Sequence, residues 1–164
     1  MKVFYTDGAC KGNPGPGGFG VICIEEDEIK YSYSEQCQQT TNNREELKAI
    51  LHVFQMAVEN FRYDSVLIYS DSAYCVNMLN DWIWNWANNN WKNSKKKEVE
   101  NLDLVKQLYN YLNMEFFPCQ VMKVSGHSGD VANELADALA TNNRAKYQKI
   151  LKENGISEPL IEKL

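Results

Sequence analysis

The sequence predicts one α/β domain around a five-stranded mixed sheet, three antiparallel strands and then parallel strands, flanked by helices. Three observations carry that prediction. Strand-like runs at 2–7, 19–25 and 28–36 follow one another through short links, which makes an antiparallel meander. The segment 42–61 places Leu47, Ile50, Leu51, Phe54, Val58 and Phe61 at helical spacing. Beyond it strands and helices alternate, so the fourth strand returns parallel to the first through a crossover.

Taken in order, KVFYTD ends an apolar strand on Asp7, and residues 8–18 form a loop crowded with Gly and Pro. FGVICIE and EIKYSYSEQ are the second and third strands, the latter alternating in polarity. Asn42 is placed as the cap of the following helix, with Glu45 completing a capping-box spacing. SVLIYSD (65–71) reads as a buried strand, and a helix begins at Ser72. A Lys-rich turn at 92–98, a helix over 101–113, a strand at 116–124 and a last helix over 130–151 complete the order. No interior linker interrupts the chain, so 1–150 is expected as a single domain and 151–164 as a polar C-terminal extension.

Composition bounds the function. No segment approaches the roughly 18 apolar residues of a membrane span, and no charged n-region precedes an apolar stretch. The five cysteines form no C-x-x-C pair, so thiols of a reducing cytoplasm are expected in place of a disulfide framework or a zinc site. A cytoplasmic monomer without membrane contact is the expectation. The net charge of −5 disfavours tight nonspecific binding to a polyanion. Its distribution is uneven: 1–90 carry a balance of −6 and 91–164 of +1, with Lys92, Lys95, Lys96 and Lys97 nearly adjacent. A local basic patch is what meets a phosphate backbone.

Four carboxylates and one histidine are the candidate chemistry. Asp7 and Asp71 close the first and fourth strands, and carboxyl ends of adjacent parallel strands bound the functional crevice of such sheets. Taken singly, each reads as a turn initiator or a helix cap. Glu46 stands one residue off the apolar stripe of its helix, and Asp137 lies beside Leu135, Ala136 and Leu139. Singly, both read as solvated helix positions. Convergence in one crevice would leave the four repelling one another. Hard divalent cations relieve that repulsion, and two ions roughly 4 Å apart suit an in-line phosphoryl displacement. His127 lies in the glycine-flanked loop SGHSG, where proton transfer competes with no role at all. His52 reads as structural. GNPGPGG lacks the spacing of a P-loop, and a strand, not a helix, follows it.

DGACKGNPGPGGFG, TTNNREEL, YSDSAY and GHSGDVANELAD stand in the order and approximate spacing of ribonuclease H type 1, and the resemblance covers about residues 2–143. It implies the RNase H-like fold and hydrolysis of the RNA strand of RNA·DNA hybrids with two Mg²⁺, Mn²⁺ substituting, leaving 5′-phosphate and 3′-hydroxyl ends. The family's metal-binding carboxylates fall on Asp7, Glu46, Asp71 and Asp137, and its catalytic-loop histidine on His127. Gly12, Asn13, Asn42 and Asn43 match positions touching the hybrid minor groove, where the 2′-hydroxyl distinguishes RNA from DNA. Thr41 and Asn101 match a pocket for a DNA-strand phosphate. Asn133 and Glu134 match further substrate positions, with Glu134 near the second metal.

The tryptophan-rich stretch before the lysines resembles the family's basic protrusion, and implies that Trp82, Lys92, Lys95, Lys96 and Lys97 meet the DNA strand. Three departures bear on affinity and not on chemistry: Ala87, Asn88 and Asn89 stand where several bacterial members of the family are basic, Ala73 where a groove-reading amide is common, and Gln39 where some members have an arginine. Because Met1 leads almost directly into the first strand, high processivity is not expected.

Overall fold

The computed structural model describes residues 1–60, 65–124 and 130–158. Five strands, β1 (Lys2–Cys10), β2 (Gly15–Glu25), β3 (Glu28–Thr40), β4 (Val66–Ser70) and β5 (Cys119–Lys123), form one sheet in the order β3-β2-β1-β4-β5. β1 pairs antiparallel with β2 and parallel with β4, so it is the central strand. The helices are α1 (Asn42–Asn60), α2 (Ala73–Asn77), α3 (Ile83–Asn88), α4 (Leu102–Leu112), α5 (Val131–Ala140) and α6 (Arg144–Glu153).

Two apolar layers hold the sheet. On one face Phe4, Phe19, Val21 and Ile68 pack with Leu47, Ile50 and Phe54 of α1 and with Leu104 and Leu108 of α4. On the other, Ile22 and Ile29 pack with Leu135, Ala136 and Leu139 of α5 and with Tyr147 and Ile150 of α6. The helix stripe expected over 42–61 is therefore buried as its spacing requires, although Val58 is only half-buried and Phe61 lies outside the described residues.

Several boundaries differ from the sequence reading. The glycine-rich loop shrinks to the turn at 11–14, because β1 runs on to Cys10 and β2 begins at Gly15. Gly8 of that stretch and Gly20 within β2 are places of close approach. A methyl on Gly8 would overlap the Glu45–Glu46 backbone of α1, and one on Gly20 would overlap Ala136 and Leu139 of α5. Thus α1 and α5 press directly on the two faces of the β1–β2 pair.

Thr41, not Asn42, caps α1: its hydroxyl accepts from the Arg44 amide at 3.2 Å. Glu45 is buried instead, accepting from Thr40 Oγ1 at 2.9 Å and pairing with Lys48 at 2.8 Å. The helix from Ser72 widens into a π-helical stretch at Met78–Trp82 between α2 and α3, a feature frequent near functional sites.

The expected last helix is two. Asn142 takes a left-handed conformation, φ +53°, and the Asn143 side chain accepts from Lys146 N to cap α6. The extension expected from residue 151 also begins too early. Leu151 is buried, and Ser157 N donates to Asp27 O while its carbonyl accepts from Ile29 N. Through residue 157 the chain belongs to the packed unit.

Candidate active site

The parallel β1–β4 ladder ends at the pair Thr6↔Ser70. Asp7 and Asp71 are the next residues on each strand, so they stand in one row just past its carboxyl end. Asp7 does not end β1; it lies within it, opposite Gly20 of β2. Gly8 lets the first turn of α1 touch β1, which sets Glu46 against Asp7. Gly20 lets the Ala136–Leu139 turn of α5 do the same from the opposite face, which brings Asp137 near.

Ligand oxygens of Asp7, Glu46 and Asp71 lie within 4.8 Å of one another. Asp7 and Glu46 are buried while Asp71 opens to solvent. Glu46 Oε2 is the buried side-chain oxygen without a hydrogen-bond partner among the described residues. Burial foremost, and then the Asp71 charge, push the Asp7 carboxyl up from 3.8 to about 8. Burial and the charges of Asp7 and Asp71 hold Glu46 well above the usual carboxylate range. The Asp71 carboxyl is raised too, first by its partial burial, with Asp137 adding repulsion. Three carboxylates crowded this way, one with an orphaned oxygen, fit a hard divalent cation, which takes oxygen ligands and cancels the repulsion.

Asp137 stands apart in its partner. Its Oδ2 accepts from Lys146 Nζ at 2.6 Å, both side chains being partly exposed. Sequence periodicity carries no sign of this pair, since the break at 141–143 lies between the two residues. His127 lies outside the described residues.

The substrate positions gather in three places. Asn13 Oδ1 accepts from Asn42 N at 3.0 Å, so the turn holding Gly12 meets the start of α1 beside Asn43. Thr41 and Asn101 are joined through Arg44, whose amide donates to Thr41 and whose Nη1 donates to Asn101 Oδ1 at 3.3 Å. Arg44 also binds Asp103 through two hydrogen bonds of 3.0 and 2.9 Å, which holds the Asp103 carboxyl below its usual range. Sequence reasoning passed over Arg44; its place beside the paired asparagines was the available signal. Asn133 and Glu134 are half-buried in the first turn of α5, which Asp130 caps.

In the third place, Trp82 packs edge-on to Tyr74 (5.6 Å between centroids) and tilted to Trp86 (6.2 Å). None of the four indoles is fully buried, and Trp84 is an exposed one resting on Tyr109. Asn93 Oδ1 accepts from both Lys95 N and Lys97 N, tightening the turn from which exposed Lys92, Lys95, Lys96 and Lys97 project.

A family model for RNase H matches residues 1–145. The chain belongs to the ribonuclease H family. It is 45% identical over 139 residues to a ribonuclease H of Caldicellulosiruptor saccharolyticus, an alignment spanning 84% of this chain and 92% of that protein. With a ribonuclease H of Orientia tsutsugamushi it shares 39% identity over 150 residues, 92% of this chain and 86% of the relative. The fold matches that of LC9-RNase H1, a type 1 RNase H with the type 2 active-site motif, with a TM-score of 0.73 at 24% identity over 99% of this chain and 88% of that one. It also matches a foamy viral protease-reverse transcriptase in complex with RNA/DNA hybrid, with a TM-score of 0.74 at 22% identity, covering 90% of this chain and 20% of that longer polypeptide. At these identities the structural likeness speaks for the ribonuclease H fold alone. Among the described residues no helix is long and apolar enough to cross a membrane.

Proposed function

We propose that this protein is a metal-dependent endoribonuclease that hydrolyses the RNA strand of RNA·DNA hybrids and leaves 5′-phosphate and 3′-hydroxyl ends. The single observation that carries the reading is the cluster of Asp7, Glu46 and Asp71, with one buried carboxylate oxygen left without a partner among the described residues. In a family of ribonucleases H, such a cluster is a cation seat and not a folding accident. Asp7, Glu46, Asp71 and Asp137 would hold two Mg²⁺ or Mn²⁺, which supply an activated water and charge stabilisation at the leaving oxygen.

The chain's own residues do the rest. Asp7 and Glu46 are buried in the crevice, while exposed Asp71 stands on the solvent side from which a substrate would arrive. His127 is the proposed proton carrier at the leaving group. Gly12, Asn13, Asn42 and Asn43 form one rim that can read 2′-hydroxyls in the minor groove. Thr41 and Asn101 would receive a DNA-strand phosphate. Arg44 accepts no such role directly, since Asp103 and Asn101 already occupy its guanidinium. By holding Asn101 Oδ1 it leaves the amide nitrogen to face a phosphate oxygen.

The protrusion is read as an electrostatic grip. Among the described residues no carboxylate pairs with the ammonium groups of Lys95, Lys96 and Lys97. Replacing all three with Ala should weaken hybrid binding and make the log–log salt slope shallower by about 2–3, near 0.9 per lost phosphate contact. A slope equal to that of the wild type would exclude the protrusion from the phosphate path.

The direct test is cleavage of a labelled RNA strand offered alone, in an RNA duplex and in an RNA·DNA hybrid, with Mg²⁺ or with EDTA. Cleavage confined to the hybrid and lost with EDTA is the expected result. Binding without cleavage, with Mn²⁺ also tried, would reduce the protein to a hybrid-binding module of the same fold. Cutting of duplex or branched DNA would overturn the substrate assignment.

A further inference from the structure

The fourth carboxylate is held differently from the other three. Asp7, Glu46 and Asp71 face one another, whereas Asp137 Oδ2 is taken by an ammonium, Lys146 Nζ, at 2.6 Å. The pair is built by the chain reversal between α5 and α6. Thr141 Oγ1 donates to the Asp137 carbonyl at 2.8 Å, and Asn143 Oδ1 accepts from Lys146 N at 3.0 Å. Together these bonds fold the first turn of α6 back over the Asp137 side chain. A lysine placed there is neither core packing nor part of a surface ion-pair network; its one carboxylate partner among the described residues is a residue of the crevice.

We propose that Lys146 is a positioning residue: a tethered cation that holds Asp137 when the crevice is empty and competes with a divalent ion for the same oxygen. An ammonium at 2.6 Å already offsets much of the charge that Asp137 would offer a divalent ion, and the two cations repel. A divalent ion at Asp137 would therefore bind more weakly while Lys146 stays on Oδ2 than after it swings aside. Both partners are partly exposed, so displacement is easy and the competition is mild. Exposed pairs of this kind alter an equilibrium by about two- to fivefold. Full occupancy of the second site is thereby left to the moment when substrate phosphates add ligands and negative charge. An ion held by Asp7, Glu46 and Asp71 would meet this competition only indirectly, through the contact of Asp137 with Asp7. The inference rests on the proposed reading of Asp137 as a metal ligand.

The test is a Mn²⁺ binding isotherm without nucleic acid, counting free Mn²⁺ by electron paramagnetic resonance. The proteins are wild type, Lys146→Met, Lys146→Arg, Asp137→Asn and the Lys146→Met, Asp137→Asn double variant. Met keeps the apolar stem and removes the charge; Arg restores it. Lys146→Met should tighten the weaker binding phase by about two- to fivefold, from the exposed-pair range. Lys146→Arg should return the isotherm to that of the wild type, and the effect of Met should vanish in the Asp137→Asn background. A purely structural role would shift the melting temperature and leave these isotherms unchanged. If Asp137→Asn weakens Mn²⁺ binding while the Lys146→Met isotherm superimposes on wild type, the competition is wrong and the metal site stands. If Asp137→Asn also superimposes on wild type, the assignment of Asp137 as a ligand fails, and this inference with it.

Discussion

Replacing Asp7 with Asn is expected to abolish hybrid cleavage and, without divalent metal at pH 8, to make the protein more stable than the wild type. The two effects have one cause. Asp7 is buried, 5% exposed, and shares its space with Glu46 and Asp71. If Asp7 holds a metal as proposed, its loss should remove several kcal/mol of transition-state stabilisation, at least about a thousandfold in rate. As a buried charge without a cation it costs stability. Its folded-state pKa of about 8 stands above the ordinary 3.8, so the folded protein binds the proton more tightly than the unfolded chain does. The stabilisation this gives is complete below about pH 4 and is lost as pH rises through about 8. Glu46 and Asp71, raised in the same direction, add to the slope.

Thermal melts in EDTA should therefore fall from pH 5 to pH 9 in the wild type and fall less in Asp7→Asn. The gap at pH 8 should be on the order of 5 °C, since about 1 kcal/mol moves the melting temperature of a chain this size by roughly 2–4 °C. Adding Mg²⁺ should restore the wild type and leave the variant unmoved. An Asp7→Asn protein that still cleaves would remove the metal reading. A wild type whose metal-free stability is flat with pH would remove the repulsion argument.

Replacing Gly8 with Ala should cost about 1–3 kcal/mol of stability and lower cleavage roughly a hundredfold. The added methyl would overlap the backbone of Glu45 and Glu46, and a backbone cannot rotate aside as a long side chain can. The first turn of α1 would have to back away from β1, carrying Glu46 from Asp7 and the Asn42–Asn43 rim from the Asn13 turn. Gly155 supplies the control. It has φ +63° with open space where a methyl would stand, so Gly155→Ala should lose about 1–2 kcal/mol from the left-handed backbone alone and keep full turnover. Chemical denaturation and steady-state cleavage of the two variants separate lost stability from lost geometry. Full activity in Gly8→Ala would mean that the close packing of α1 on β1 does not set the position of Glu46.

The local features were legible in the sequence because short-range forces write them. Apolar runs gave β1 and β2, a period-two run gave β3, the 3.6-residue stripe gave α1, and the ordered motifs around Asp7, Glu46, Asp71 and Asp137 named the carboxylates. Local signals failed where a tertiary contact outweighed them. The glycines at 8–18 read as a flexible loop, yet several lie in strands, and Gly8 is needed where α1 touches the sheet. Glu45 read as a capping partner, yet the buried Thr40 hydroxyl and Lys48 claim it.

The convergence itself was never local. Asp7, Glu46 and Asp71 meet because a parallel ladder ends one residue before two of them and a glycine admits the helix that carries the third. Lys146 reaches Asp137, and Arg44 joins Thr41 to Asn101, across chain reversals that no periodicity spans. The sequence by itself determined which elements form and which groups are chemically able. The tertiary structure decided which of those groups share a crevice, because distance and burial are set by packing between segments far apart in the chain.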